Sequence, residues 1–133
     1  MKSINDGVNE WVEKANNDLL NAEIILKSNF TKKPYDTVCF HCQQAVEKYL
    51  KGYLFKNSVV FPKTHVLEDL IKACSKIDPQ FDTFLDQAGA LSDYAVEMRY
   101  PDDYFMPSEQ EAKEAFGTAV EIKKLVLAKL GML

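Results

Sequence analysis

At 133 residues and 15.2 kDa the chain has the length of one compact domain, enough to bury a core without disulfides or a metal. Its 47% hydrophobic and 27% charged residues exclude a disordered chain, a collagen and a disulfide scaffold, and no apolar run approaches the roughly 18 residues that span a bilayer. The net charge of -4 argues against non-specific binding to bulk nucleic acid, but it is unevenly spread: residues 30–65 hold six lysines against Asp36 and Glu47, whereas residues 78–121 hold eleven acids against Arg99 and Lys113. Five prolines, at 34, 62, 79, 101 and 107, leave helix-sized gaps, where an all-β domain needs a turn about every 8–12 residues. The first residues, MKSINDGVNEW, show no basic segment followed by an apolar stretch, so no secretory leader is expected and the protein is expected in the cytoplasm. Residues 1–133 are expected to form one domain.

The first predicted helix runs from about Val8 to Ser28, with Val8, Trp11, Val12, Ala15, Leu19, Ala22 and Leu26 on one face. Asn29 to Lys33 is a polar loop. Pro34 and Asp36 open a second helix to about Asn57, apolar around most of its circumference and therefore central. Gly52 within it costs helix propensity, about 1 kcal/mol relative to alanine, which predicts the close approach of another helix. Thr64 is the expected N-cap of a third helix, His65 to Lys76. Asp78-Pro79 opens a fourth, to about Glu97, with Phe81, Phe84, Leu85, Ala88 and Leu91 inward. Residues 98–107 read as a loop. Ser108-x-x-Glu111 is a capping box that opens a last helix to about Leu130. The fold expected is all-α, an up-and-down helical bundle of about five helices.

Cys39-x-x-Cys42 has redox or metal spacing but lies inside a helical pattern with no second ligand pair, so these cysteines and Cys74 read as small core residues. The sequence contains no phosphate-binding glycine loop, no H-E-x-x-H, no G-x-S-x-G and no EF-hand loop. No metal and no cofactor are expected. Three features remain that can carry chemistry. His41, Gln44, Lys48 and Lys51 are spaced 3, 4 and 3 along one stripe of the second helix, flanked by Gln43 and Glu47. The bland alternative is a solvated strip with an intrahelical Glu47–Lys51 pair. Lys63-Thr64-His65 falls at a predicted helix N-terminus, where free N–H groups favour an anion; simple capping is the alternative. Arg99, the only arginine, stands in a Tyr/Pro-rich loop beside Asp102 and Asp103, where it either braces the loop or reaches a phosphate.

Phe40-His41-Cys42-Gln43-Gln44-Ala45-Val46-Glu47-Lys48-Tyr49-Leu50-Lys51 resembles the HEPN domain, a small helical domain of prokaryotes and higher eukaryotes. The resemblance extends to Trp11–Ala22, to Lys63-Thr64-His65 with Leu67–Leu70, to Arg99-Tyr100-Pro101 and to the alanine-rich last helix. It implies an up-and-down bundle that commonly dimerises, and two kinds of activity. Some members are metal-independent RNase toxins with an arginine followed, a few residues on, by a histidine. Others are partners of a separately encoded minimal nucleotidyltransferase and bind nucleotide or the partner's substrate. Arg99 matches the arginine, but Tyr104, Phe105 and Met106 stand where the histidine would fall. The RNase chemistry thereby lacks the imidazole that moves a proton near neutral pH.

The leading expectation is therefore a HEPN protein that acts as a nucleotide- or phosphate-binding accessory subunit in a toxin–antitoxin-like pair with a minimal nucleotidyltransferase. His41, Gln44, Lys48 and Lys51 would line its groove, Lys63 and His65 would supply charge or hydrogen bonds, Arg99 would clamp phosphate, and Tyr100 or Tyr104 would stack on a base. The ligand expected is a nucleotide or a short RNA. The alternatives are a metal-independent RNase using Arg99 with His41 or His65, and a dimerisation and docking module whose contact surface is the stripe. A homodimer is expected under all three, covering exposed aromatics such as Tyr100, Tyr104 and Phe105.

Overall fold

The computed structural model describes residues 3–61, 63–95 and 105–133. Among them the chain forms helices α1 (Ile4–Lys27), α2 (Tyr35–Lys56), α3 (Leu67–Ser75), α4 (Leu85–Ser92) and α5 (Glu109–Leu130), with a 3₁₀ helix, Pro79–Phe84, leading into α4. No strand occurs among the described residues. This is the all-α bundle that the periodicity predicts. Pro62, Arg99, Tyr100, Pro101 and Tyr104, and the end of the predicted fourth helix at Glu97, lie outside the described residues.

Helix α2 is the axis. It packs against α1 along most of its length, against α5 on another side and against α3 near its C-terminal half. Val38, Cys39, Cys42, Ala45, Val46, Tyr49, Leu50 and Leu54 are fully buried, which is why this helix reads as greasy all round. Helices α1 and α5 each contribute a single apolar stripe: Val8, Val12, Ala15, Leu19 and Ala22 from one, Ala112, Ala115, Ala119, Ile122 and Val126 from the other. The alanines let the backbones approach closely. At Gly52 a Cβ would lie 3.1 Å from Trp11 Cβ, which is the close helix approach that the glycine predicts.

Three helix starts differ from the sequence reading. α1 begins four residues early, because Ser3 and Asp6 form a capping box: Asp6 N–H donates to Ser3 Oγ at 3.1 Å, and Ser3 N–H to Asp6 Oδ2 at 3.3 Å. α3 begins at Leu67 rather than His65. The Thr64 hydroxyl accepts from Val66 N–H at 3.0 Å, closing a tight turn before the helix instead of capping it. The Leu67 N–H is received by Ser92 Oγ at 3.0 Å, at the end of α4, so the cap of α3 comes from tertiary structure. The predicted fourth helix is divided. Asp78 accepts from Gln80 N–H and starts a 3₁₀ helix that buries Phe81 against Tyr53, and the backbone becomes α-helical only from Leu85. The last helix has the predicted capping box, Ser108 with Glu111, and ends at Gly131 in the left-handed conformation, φ 71°. Its end is tied to the turn before the 3₁₀ helix by Lys129 Nζ on Asp78 Oδ2 at 2.7 Å, a hydrogen bond that holds the Asp78 carboxyl below its ordinary value.

The three cysteines are buried and unpaired. Burial pushes the thiols of Cys39 and Cys74 up to about 12, and that of Cys42 up as well, so all three stay protonated and inert at neutral pH. No group of three or more His, Cys, Asp or Glu among the described residues is arranged to hold a metal ion, and no helix of the described residues is long and apolar enough to cross a membrane.

Candidate functional site: a polar seam on α2

The stripe on α2 is a half-buried seam rather than a solvated strip. Two buried or nearly buried carboxylates organise it. Asp18, from α1, receives Lys48 Nζ at 2.5 Å and faces His41 Nδ1 at 3.0 Å. One carboxylate thus joins α1 to two positions of α2 seven residues apart. Beside it the Tyr49 hydroxyl donates to Asn16 Oδ1. Burial, with the nearby Asp18 charge, raises the Tyr49 phenol, so this hydroxyl acts only as a neutral donor.

The second carboxylate is Glu47, 5% exposed. Lys51 Nζ donates to its Oε2 at 3.0 Å, and His65 Nδ1 stands 2.7 Å from its Oε1. Gln43, fully buried, donates Nε2 to Glu47 Oε1 at 3.3 Å and to the backbone carbonyl of His65 at 3.2 Å. Gln44 Nε2 donates in turn to Gln43 Oε1 at 2.7 Å. Burial alone would raise the Glu47 carboxyl. The hydrogen bonds from His65, Lys51 and Gln43 outweigh it and hold the carboxyl below its ordinary value, so Glu47 is ionised at neutral pH. Lys51 also lies over the Phe61 ring, 5.9 Å from its centre, and Phe61 meets Trp11 edge-on.

The seam therefore collects five of the predicted residues, four on α2 and one from the following segment. His41, Gln44, Lys48 and Lys51 are joined by His65, two residues before α3. Lys51 is buried and paired within its own helix, and Lys48 is paired across helices, so both charges are already met by carboxylates. The pairing of Glu47 with Lys51 is the one the bland reading anticipates, but it lies inside the protein instead of on its surface. His65 differs from the rest. Its Nδ1 and its carbonyl are both held by buried residues, yet its side chain is 68% exposed, so most of the ring faces solvent while one edge is anchored. Lys63 is exposed on the same segment. Neither it nor His65 sits at a helix N-terminus, because α3 starts at Leu67. Arg99 and Tyr100 belong to the undescribed stretch.

The residues that organise the seam, Asp18, Gln43 and Glu47, are not the candidates the stripe suggests. A signal for Asp18 exists in the sequence. It falls three residues after Ala15 and four before Ala22, on the apolar face of α1, where an isolated acid must find a partner.

An all-α bundle built around a central helix, with a carboxylate-braced polar seam on that helix, is a small helical module of the kind the F-H-x-Q-Q-A-x-E-K-x-L-K run suggests. The HEPN domain profile matches residues 8–129, and the chain belongs to the HEPN family. It is 29% identical over 115 residues to a Methanocaldococcus jannaschii protein named "Putative toxin MJ1304", covering 78% of this chain and 72% of that one. Two crystal structures share the fold at 27% identity. One is TT1696 from Thermus thermophilus, with a TM-score of 0.77 over 92% of this chain and 97% of that one. The other is ST0689, described as an archaeal HEPN homologue, with a TM-score of 0.71 over 97% and 98%.

Proposed function

We propose that this HEPN protein is a nucleotide- or phosphate-binding subunit of a toxin–antitoxin-like pair, working as a homodimer with a minimal nucleotidyltransferase. The observation that carries the reading is His65. A histidine fixed at ring and backbone by buried Glu47 and Gln43, with most of its ring exposed, is preorganised for an outside ligand. The toxin name of the Methanocaldococcus relative supports the biological setting.

Because Lys48 and Lys51 are already paired, the ligand's phosphate is met first by His65 Nε2 and Lys63, with Arg99 as the clamp. His41, Gln44, Lys48 and Lys51 form the supporting wall, and Tyr100 is the stacking candidate. Isothermal titration with nucleoside mono-, di- and triphosphates is expected to give heat with at least one of them. His65→Ala removes one charge-assisted hydrogen bond and should weaken binding about tenfold. No heat with any of them, with or without the nucleotidyltransferase, overturns the reading.

One observation favours a second reading. With Nδ1 committed to Glu47, neutral His65 offers Nε2 as a proton acceptor, the arrangement of an oriented general base. A metal-independent RNase would then use His65 with Arg99. It predicts RNA cleavage without added metal, lowered about a hundredfold or more by His65→Ala and by Arg99→Ala. RNA left intact by concentrated protein removes this reading.

A further inference from the structure

Away from the seam, the faces of α4 and α5 diverge and leave a groove. Its deeper part is a cavity of about 550 Å³ whose floor includes Phe84, Leu91 and Tyr94 on one side and Ala115, Gly117 and Thr118 on the other. A second hollow of about 400 Å³ shares Phe84 and Glu121 with it and runs on to Leu125. Along α5 the groove extends from Glu111 to Leu125, about 21 Å at 1.5 Å per residue, or four helical turns.

Gly117 is the telling residue. Four glycines lie inside the helices. A Cβ at Gly7 would meet the Phe55 ring at 2.3 Å, at Gly52 Trp11 Cβ at 3.1 Å, and at Gly89 Glu68 Oε2 at 2.9 Å. Each of these glycines is explained by a neighbour within this chain. A Cβ at Gly117 would meet nothing within 4 Å among the described residues. Gly117 therefore carries the helix cost of a glycine in mid-α5 with no contact from the described residues to account for it, and it does so in the groove. Gly117 is exposed, and the open space beside it leaves room for a neighbour from outside the chain.

The chemistry of that neighbour follows from charge. Glu111, Glu114 and Glu121 line the groove, within the stretch of the sequence that holds eleven acids against two basic residues. Among the groove-lining residues the cation is Lys124, 3.8 Å from Glu121 and exposed like it. Half-buried Phe84 and Tyr94 supply apolar area below the acids. A second copy related by a twofold axis would set this groove against itself, acid facing acid. We infer that the α4–α5 groove docks a basic amphipathic helix of a different protein, about four turns long, with its small or apolar stripe over Gly117 and lysine or arginine on its flanks toward Glu114 and Glu121. This docking needs nothing from the seam on α2 and stands independently of the ligand bound there.

The test uses the full chain and two synthetic peptides of about four helical turns. One has an alanine and leucine stripe flanked by arginines; its twin has glutamates in place of the arginines. By fluorescence anisotropy the arginine peptide is expected to bind at least tenfold more tightly than the twin. Gly117→Leu, which has room for the side chain and improves helix propensity, should leave the melting temperature unchanged or raised and lose the arginine peptide. Glu114→Lys with Glu121→Lys should reverse the preference between peptides. Equal binding of the twins, or unchanged binding by Gly117→Leu, overturns the inference. So does a wild-type dimer that Gly117→Leu converts to monomer in light scattering, which would give the groove to a second copy.

Discussion

Replacing Glu47 by alanine should lower stability by about 3 kcal/mol, because it leaves the buried Lys51 ammonium without its carboxylate, the charge remaining inside, and takes one of two acceptors from the Gln43 amide. For a domain of this length that corresponds to a fall in melting temperature of about 10 °C, read by calorimetry. The same residue sets an acid limit. Its carboxyl is held below its ordinary value in the folded protein, so the stabilisation is fully present above the unfolded carboxylate range and is lost as pH falls through the lowered folded value. Glu47→Gln keeps the size but not the charge. Its stability should change less than that of the wild type between pH 5 and about pH 3. Parallel curves for the two proteins across that window would show that Glu47 is not the residue responsible. His65→Ala provides the complementary measurement. It removes one of three side-chain donors from buried Glu47 but leaves Lys51 and Gln43 in place, so it should lower stability by about 1 kcal/mol, less than Glu47→Ala, while affecting ligand binding.

Gly52→Leu should be the most damaging single change on the axis helix. A Cβ alone would sit 3.1 Å from Trp11 Cβ, and that atom is fixed to the backbone of α1, so it cannot swing aside as a side-chain tip can. A full leucine must drive α1 from α2 and opens the contacts of Asp18 with Lys48 and His41 that cross the same interface. Overpacking of this kind costs about 3 kcal/mol before any loss of the ionic bridges is counted. Gly7→Ala makes the contrast. The obstruction there is the Phe55 ring, a rotatable side chain at the surface, so the cost should be under about 1 kcal/mol. Chemical denaturation of the two variants distinguishes a rigid backbone approach from an adjustable one.

Much of the fold was legible in residue order because helix formation depends on local spacing. The apolar face Val8–Val12–Ala15–Leu19–Ala22, the all-round apolar α2 and the Ser108–Glu111 box each report a local constraint, and Gly52 announces a close approach by its helix cost alone, without naming its partner Trp11. The errors lie where the decisive partner is distant. Thr64 has the composition of a cap, but Ser92, 25 residues on from Leu67, takes the first N–H of α3. Asp78-Pro79 has the composition of an α-helix start, but the burial of Phe81 against Tyr53 accompanies a tighter turn first.

The site divides in the same way. Spacing alone places His41, Gln44, Lys48 and Lys51 on one stripe, because a helix turns through a fixed angle per residue. Spacing does not reveal whether those groups face water. Tertiary structure brings Asp18 across from α1 and turns Glu47 inward, which converts two of the expected ligand-binding lysines into paired ones and leaves His65 as the fixed group that faces outward. Charge partners are chosen by proximity in space, and those that join different elements of the seam stand 18 to 30 residues apart. The acidic groove shows the same limit. The acids of residues 78–121 are plain in the sequence, but only the divergence of α4 from α5 sets three glutamates and an unexplained glycine around one cavity. The sequence by itself determined an all-α HEPN bundle and the helix that carries its polar stripe; the packing of helices distant in sequence decided which of those polar groups face outward to meet a partner.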